Sequence, residues 1–314
     1  MNCLDQNVTE QWALYHGDAV EVLCGLPDQS IDFSIFSPPY GGTLYTYSSS
    51  PRDIGNCRDD AEFYEHFGYI IDGLKRLIKP GRIIAVDCMN LPAMKSRDGF
   101  IGIKDFRGDL IREFIARGFI FHSEHCIWKD PLIEATRTKA IGLMHKQLCK
   151  DSTMSRAGIP QYLLAFRAPG VNSNPVAHKD GLLTFVGEDD PASKGNPSHE
   201  RWRRYASPVW MDIRANRTLN VAAARAEEDE RHICPLALDI IERAIELWTN
   251  PGDVVLSPFA GIGSEGYVAV QAKRRFVGIE LKASYYEQAK RNLRLSCKQP
   301  DLFASPVDDE GKVA

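Results

Sequence analysis

The chain has 314 residues, 44% of them hydrophobic and 25% charged, the proportions of an ordinary globular protein, which excludes disordered and fibrous classes. No apolar run reaches the ~18–20 residues of a membrane span, and the opening Met-Asn-Cys-Leu-Asp-Gln carries no signal-peptide pattern, so a cytoplasmic location is expected. The net charge is −4, yet Lys and Arg are in excess over 128–217 while the remainder is acidic, an electrostatic footprint for a polyanion. The cysteines at 3, 24, 57, 88, 126, 149, 234 and 297 are scattered. They show neither Cys-x-x-Cys nor zinc spacing, which predicts reduced thiols and no metal.

In chain order, the first strand is expected at Trp12–His16, followed by Gly17-Asp18, with Asp18 placed to cap the helix after it. A second strand covers Ile31–Phe36. Residues 60–79 place Phe63, Phe67, Ile70, Ile71, Leu74, Leu77 and Ile78 at helical spacing and stop at Lys79-Pro80-Gly81. Strands follow at Arg82–Asp87, Phe119–Phe121 and Tyr162–Phe166, with a helix at 105–117. Beyond a long irregular stretch come a helix at 234–249, a strand at Val254–Leu256, a helix at 264–273, a strand at Phe276–Glu280 and a helix at 282–296. The seven strands are near-continuous apolar runs, as in a parallel sheet buried on both faces. Their alternation with helices predicts a doubly wound, mostly parallel, seven-stranded α/β sheet. Two stretches break the rhythm. Residues 129–160 are polar and basic, and 168–230 are rich in Pro, Gly, Asn and Arg with little periodicity. The end, 303–314, reads as an acidic tail.

Two turns carry chemistry. Ser37-Pro38-Pro39-Tyr40 closes a buried strand, and its prolines cannot continue a ladder. It serves either as a rigid exit from the strand or as a site that aims Ser37 Oγ and the Pro38 carbonyl at one point. Two fixed acceptors suit an NH2 group, which offers two hydrogens, and Tyr40 adds a flat face for a planar ring. The second turn, Ser257-Pro-Phe259-Ala-Gly261-Ile-Gly263-Ser264, joins a strand to a helix. Gly261-Ile-Gly263-Ser-Glu-Gly266 satisfies G-x-G-x-x-G, and Glu280 ends the next strand, where an acid binds ribose hydroxyls. That setting predicts a nucleotide-type site. His232 and Pro235 open the helix before it.

Together these residues resemble a known family. Ser37-Pro-Pro-Tyr40 is similar to the (Asp/Asn/Ser)-Pro-Pro-(Tyr/Phe) motif of DNA amino-methyltransferases, and Phe259-Ala-Gly-Ile-Gly263 to their Phe-x-Gly-x-Gly motif for S-adenosylmethionine. The catalytic motif comes first, by about 220 residues, an order that resembles the permuted β class. The resemblance covers roughly 11–127 and 231–296. It implies a class I methyltransferase-like fold, circularly permuted, with a catalytic half over 11–167, a target-recognition insert over 168–230, a cofactor-binding half over 231–297 and a tail over 298–314.

By position, the resemblance makes Ser37, Pro38, Pro39 and Tyr40 the target-base site. Phe259, Gly261 and Gly263, with Ser257, would hold the cofactor's methionine portion, Glu280 its ribose and Asp18 its adenine end. His232 and Pro235 would lie by the methionine tail. Lys139, Lys146, Lys150 and Arg156 are expected on DNA phosphates, and Arg201, Arg203 and Arg204 on phosphates or bases. Three positions depart from the pattern. Ser257 stands where the family commonly has Asp, Cys234 where many relatives have a basic or polar residue, and Phe36 where cytosine enzymes often have Thr. The implied activity is methyl transfer from S-adenosylmethionine to an exocyclic amine of a flipped base in double-stranded DNA. Ser at position 37 leans towards cytosine N4 over adenine N6. A homodimer and a separate cognate restriction enzyme are compatible with it, and no metal is needed. Two other functions remain open on the residues alone: a nicotinamide-dependent oxidoreductase using Gly261–Gly266 and Glu280, and a non-catalytic DNA-binding protein on the same scaffold.

Overall fold

The helix over residues 60–77 shows how local signals set the architecture. Asp59 accepts a hydrogen bond from the Glu62 N–H at its start, acids fill its first turn and Lys75 and Arg76 its last, so capping and dipole agree. It ends at Leu77, and the Lys79-Pro80-Gly81 segment expected to stop it already begins the next strand. The computed structural model describes residues 2–40, 50, 52–93, 95–138, 140–179, 181–182, 197–220 and 235–298. His232, Cys234 and Lys139 lie outside them.

In chain order the elements are β1 (Asp5–Val8), β2 (Trp12–His16), α1 (Ala19–Cys24), β3 (Ile31–Phe36), α2 (Asp60–Leu77), β4 (Ile78–Met89), β5 (Leu91–Ala93), α3 (Lys95–Asp98), β6 (Gly102–Lys104), α4 (Phe106–Ala116), β7 (Ile120–Ile127), α5 (Pro131–Thr138), α6 (His145–Lys150), β8 (Gln161–Arg167), α7 (Pro197–Ala206), β9 (Val209–Trp210), α8 (Leu238–Trp248), β10 (Val254–Ser257), α9 (Ser264–Gln271), β11 (Arg275–Glu280) and α10 (Ala283–Ser296). The main sheet has the order β1-β2-β11-β10-β3-β4-β8-β7-β9, with β5 and β6 forming a separate antiparallel pair.

Nine strands stand where seven were expected. The two additions are edge strands: β1 is largely exposed and polar, and β9 has two residues, so neither has an apolar run to betray it. From β2 to β4 neighbouring strands are parallel; β8 runs antiparallel to both β4 and β7. Residues alternate between two core clusters. Ile83 and Ala85 of β4 and Leu163 and Ala165 of β8 meet α8, α9 and α10 on one face. Ile84, Val86, Leu164 and Phe166 meet α2 and α4 on the other. The doubly wound arrangement follows, with helices on both faces. No helix among the described residues is long and apolar enough to cross a membrane.

The late strand β10 and the early strand β3 are neighbours. Val255 pairs with Phe33 and Leu256 with Ser34, and Ser34 Oγ donates to the Leu256 carbonyl at 3.0 Å across 222 positions of sequence. At the amino ends a buried polar cluster ties the same strands together. Asp32 accepts from Lys79 Nζ at 2.6 Å and from the Val254 N–H at 3.0 Å. Arg82, 2% exposed, donates from Nε to the Asp32 carbonyl at 2.7 Å and forms an ion pair with Asp253. Removing one partner of such a buried pair strands the other charge, at ~3–5 kcal/mol. Arg82→Ala is therefore expected to lose stability of about that size in urea denaturation, with the bond from Val254 N–H to Asp32 left to link β10 and β3 at their amino ends.

Candidate active site at the strand ends

Strands β2, β11, β10, β3 and β4 run parallel, so His16, Glu280, Ser257, Phe36 and Met89 share one edge of the sheet. Between β10 and β3 the connections diverge: β10 continues through α9 to β11 on one side, and β3 through α2 to β4 on the other. A crevice at such a switch point is where open α/β sheets bind ligands. The two motif turns leave the strands that flank it.

On the β3 side, Ser37 donates its hydroxyl proton to Asp87 Oδ2 of β4 at 3.0 Å. Gln161, at the start of β8, donates from Nε2 to Asp87 Oδ1 at 2.6 Å. With its own hydrogen committed, Ser37 Oγ turns its lone pairs outward as acceptors. Asp87 is 5% exposed. Burial pushes its carboxyl up to about 6, against the hydrogen bond from Gln161, the charge of Lys129 and the bond from Ser37. The ring of Tyr40 packs at 5.4 Å, tilted, against Phe106.

On the β10 side, Phe259 lies tilted on Phe36 at 5.8 Å, joining the two turns. The glycines between Phe259 and α9 differ in purpose. A Cβ on Gly261 would meet nothing within 4 Å, leaving open space above the turn, whereas one on Gly266 would strike Phe276 at 2.4 Å, so α9 sits close on β11. Glu280 holds the turn: Oε2 accepts from the Gly261 N–H at 2.8 Å and Oε1 from the Lys282 N–H at 2.8 Å. Burial pushes its carboxyl up to about 7 despite both bonds. Ser257 Oγ and Ser264 Oγ are buried without a hydrogen-bond partner. Asp18 caps α1 by accepting from the Glu21 N–H at 3.1 Å, the role its position predicted, and Gly17 N–H bonds the Glu280 carbonyl. Pro235 lies ahead of α8, which starts at Leu238 rather than at 234 as expected.

The predicted cations part company. Lys146 and Lys150 are exposed on α6. Arg156 donates to the Ala157 carbonyl at 2.9 Å and lies 3.8 Å from Glu134. Arg203 and Arg204 remain on the surface, paired with Glu200 at 3.6 and 3.0 Å. Arg201 does not: its side chain is only 11% exposed, donates to Tyr205 Oη at 2.5 Å and pairs with Glu246 of α8. Its guanidinium fastens α7 to α8. Asp87 and Gln161 were not anticipated. The available signal was a charged residue ending the apolar run 82–87.

The match of the chain to known proteins agrees with this geometry. A model of the family described as DNA methylase matches residues 31–291. The type II methyltransferase M.BglII of Bacillus subtilis is 25% identical over 281 residues, 88% of this chain and 67% of its own length. M.BamHI of Bacillus amyloliquefaciens is 30% identical over 310 residues, 97% of this chain but 62% of its own length. This chain thus spans about two thirds of those relatives. Among solved structures, TTHA0409 of Thermus thermophilus, complexed with S-adenosyl-L-methionine, superposes with a TM-score of 0.63 at 21% identity, covering 91% of this chain and 95% of that one. The PvuII DNA methyltransferase, described as cytosine-N4-specific, gives 0.60 at 18% identity, covering 93% and 90%.

The Asp87 environment is open to direct measurement. The Gln161 bond is the largest influence holding the Asp87 carboxyl down, so Gln161→Leu is expected to move its titration midpoint above about 6. Ser37→Ala moves it the same way by less. Carbon-detected NMR titration of the aspartate carboxyls checks both shifts.

Proposed function

The chain belongs to the DNA methylase family, and on that premise we propose that it transfers a methyl group from S-adenosylmethionine to an exocyclic amine of a base flipped out of double-stranded DNA. The observation that carries this is the Ser37–Asp87–Gln161 chain beside the open Gly261 turn. The residues there fit the methyl donor: space above Gly261, a half-buried acid at the end of β11 for a vicinal diol, and the orphaned hydroxyls of Ser257 and Ser264. Phe259, Gly261, Gly263, Ser257, His232 and Pro235 would hold the methionine portion, Glu280 the ribose and Asp18 the adenine end. When bound, the donor supplies an electrophilic methyl group on a sulfonium sulfur.

The protein's own part is to make a poor nucleophile act. A base amine shares its lone pair with the ring. Two N–H groups donated to Ser37 Oγ and the Pro38 carbonyl favour a pyramidal nitrogen with that pair localised and aimed. Once methylated, the nitrogen must shed a proton. Ser37 Oγ takes it as the serine's own proton passes to Asp87, which is mostly ionised at neutral pH because its midpoint lies near 6. Orientation and preorganised acceptors are the main contributions. Flipping the base costs ~a few kcal/mol, and stacking on Tyr40, roughly 1–3 kcal/mol, offsets much of it.

We place the enzyme in the permuted β class, with 168–230 as the target-recognition insert, and assign cytosine N4 ahead of adenine N6 on the strength of Ser37. The nicotinamide reading leaves Ser37–Tyr40 without a purpose, while the DNA methylase match covers both turns. The intact Ser37–Asp87 pair favours an enzyme over a non-catalytic binder. A homodimer and a cognate nuclease remain compatible with this proposal.

Three measurements test it. DNA incubated with the protein and S-adenosylmethionine, digested to nucleosides and analysed by mass spectrometry, should contain N4-methylcytosine. N6-methyladenine alone would overturn the choice of base, and C5-methylcytosine the mechanism. Ser37→Ala should bind the methyl donor normally yet lose most turnover, with a loss of roughly 10²–10⁴-fold expected for proton transfer and orientation combined. For DNA binding, the Lys146→Ala/Lys150→Ala double variant should lower the salt slope by ~0.9 for every phosphate that these lysines neutralise. An unchanged slope removes α6 from the interface.

A further inference from the structure

The first turn of α9 holds a carboxyl that the mechanism above does not use. Glu265 is 5% exposed, and the hydrogen bond that favours its ionised form comes from its own backbone N–H. It interacts electrostatically with two acids, Asp87 on β4 and Glu280 on β11. It follows the Gly261–Gly263 turn directly, in the first turn of α9 beyond the carboxyl end of β10, which places it on the β10 side of the crevice. Burial pushes its carboxyl up to about 8, and both neighbouring acids push the same way. No cationic side chain among the described residues offsets this. Such a group is costly to ionise unless a positive ligand joins it. Its neighbour Ser264, 2% exposed, and Ser257 at the end of β10, fully buried, have hydroxyls with no partner. Ser257 is also the position where the family commonly carries Asp.

We infer that Glu265 is the counter-ion of the α-ammonium group of the methyl donor, supplying from the first turn of α9 the negative charge that Ser257 does not supply from the end of β10. The inference rests on the methyl-donor assignment made above. The donor has two cationic groups, and the chemistry separates them. A sulfonium loses its charge as the methyl departs, so a carboxylate beside it stabilises the ground state more than the transition state and slows transfer. The ammonium keeps its charge throughout. The orphaned hydroxyls of Ser257 and Ser264 are donors suited to the carboxylate that adjoins that ammonium.

The sign of the pH effect follows. At neutral pH the unliganded Glu265 is mostly protonated. The bound ammonium favours its ionised form, so binding releases a proton, and affinity rises with pH towards about 8. Asp87 and Glu280 both act on Glu265 and have midpoints near 6 and 7, so the informative quantity is the difference between wild type and a Glu265 variant.

Titration calorimetry at pH 7, in two buffers of different ionisation enthalpy, tests this with three ligands: S-adenosylmethionine, S-adenosylhomocysteine and 5′-methylthioadenosine, which lacks the amino-acid portion. Glu265→Gln should weaken the first two by roughly tenfold to a hundredfold each, as for loss of a charged hydrogen bond. It should leave 5′-methylthioadenosine unaffected, which also reports that the variant is folded, and abolish the extra proton release. Glu265→Asp should show the same pattern at smaller size, so the test survives if the glutamine variant folds poorly. Adding Ser257→Asp to Glu265→Gln should restore both affinities. A loss confined to S-adenosylmethionine would assign the carboxylate to the sulfonium and overturn the inference. Equal weakening of all three ligands, or of none, also overturns it. Wild-type protein that binds none of the three overturns the methyl-donor assignment itself.

Discussion

Everything at the strand ends depends on the seam between β3 and β10. Two backbone pairings and the bond from Ser34 Oγ to the Leu256 carbonyl join strands that lie 222 residues apart in sequence. Transfer between two bound groups requires reacting atoms ~3–3.5 Å apart and aligned. The seam sets that separation, because Ser37 leaves one strand and Ser257 the other. Its opposite end is closed by Arg82, Asp32 and Asp253. Strands clamped at one end and diverging in connection at the other leave a cleft whose floor does not shift.

The cleft is lined with acids that are reluctant to ionise. Asp87, Glu280 and Glu265 have carboxyls near 6, 7 and 8, each raised chiefly by burial. Glu265 is within electrostatic reach of both of the others, so its charge would oppose theirs. Their hydrogen bonds divide the labour. Asp87 orients a serine, Glu280 fixes a glycine turn through backbone N–H groups, and Glu265 has its own N–H. The polar groups that hold the shape of the site are thus largely the groups that would also meet the ligands.

Much of this was legible in the sequence. The apolar runs gave the inner strands, since a parallel strand covered on both faces has no polar positions to spare, and the Pro-Pro and glycine turns marked where two strands stop. The edges were not legible. Asp5–Val8 is polar because its side chains face water, and α7, with three Arg and only Trp202, Tyr205 and Ala206 apolar apart from its opening Pro, carries no run that shows its period. Partnership was hidden too. Ser37 and Asp87 are 50 residues apart, and only the parallel register that sets Phe36 beside Val86 brings the residues after them together. Arg201 looked like a DNA contact because composition counts charges without seeing where Glu246 lies.

The place of residues 168–230 in the chain has a consequence for how such a protein can vary. They fall between β8 and β10, inside the long loop that must close before the seam can form. The entropic cost of closing a loop grows only with the logarithm of its length, about 0.6 kcal/mol for each doubling. Length as such is therefore cheap to change at this point, and what constrains the stretch is its contacts with the body, β9 on the sheet edge and Arg201 of α7 on Glu246 of α8. The price falls on kinetics instead, because strands that pair across so many residues assemble late and slowly, and the site does not exist until nearly the whole chain has emerged.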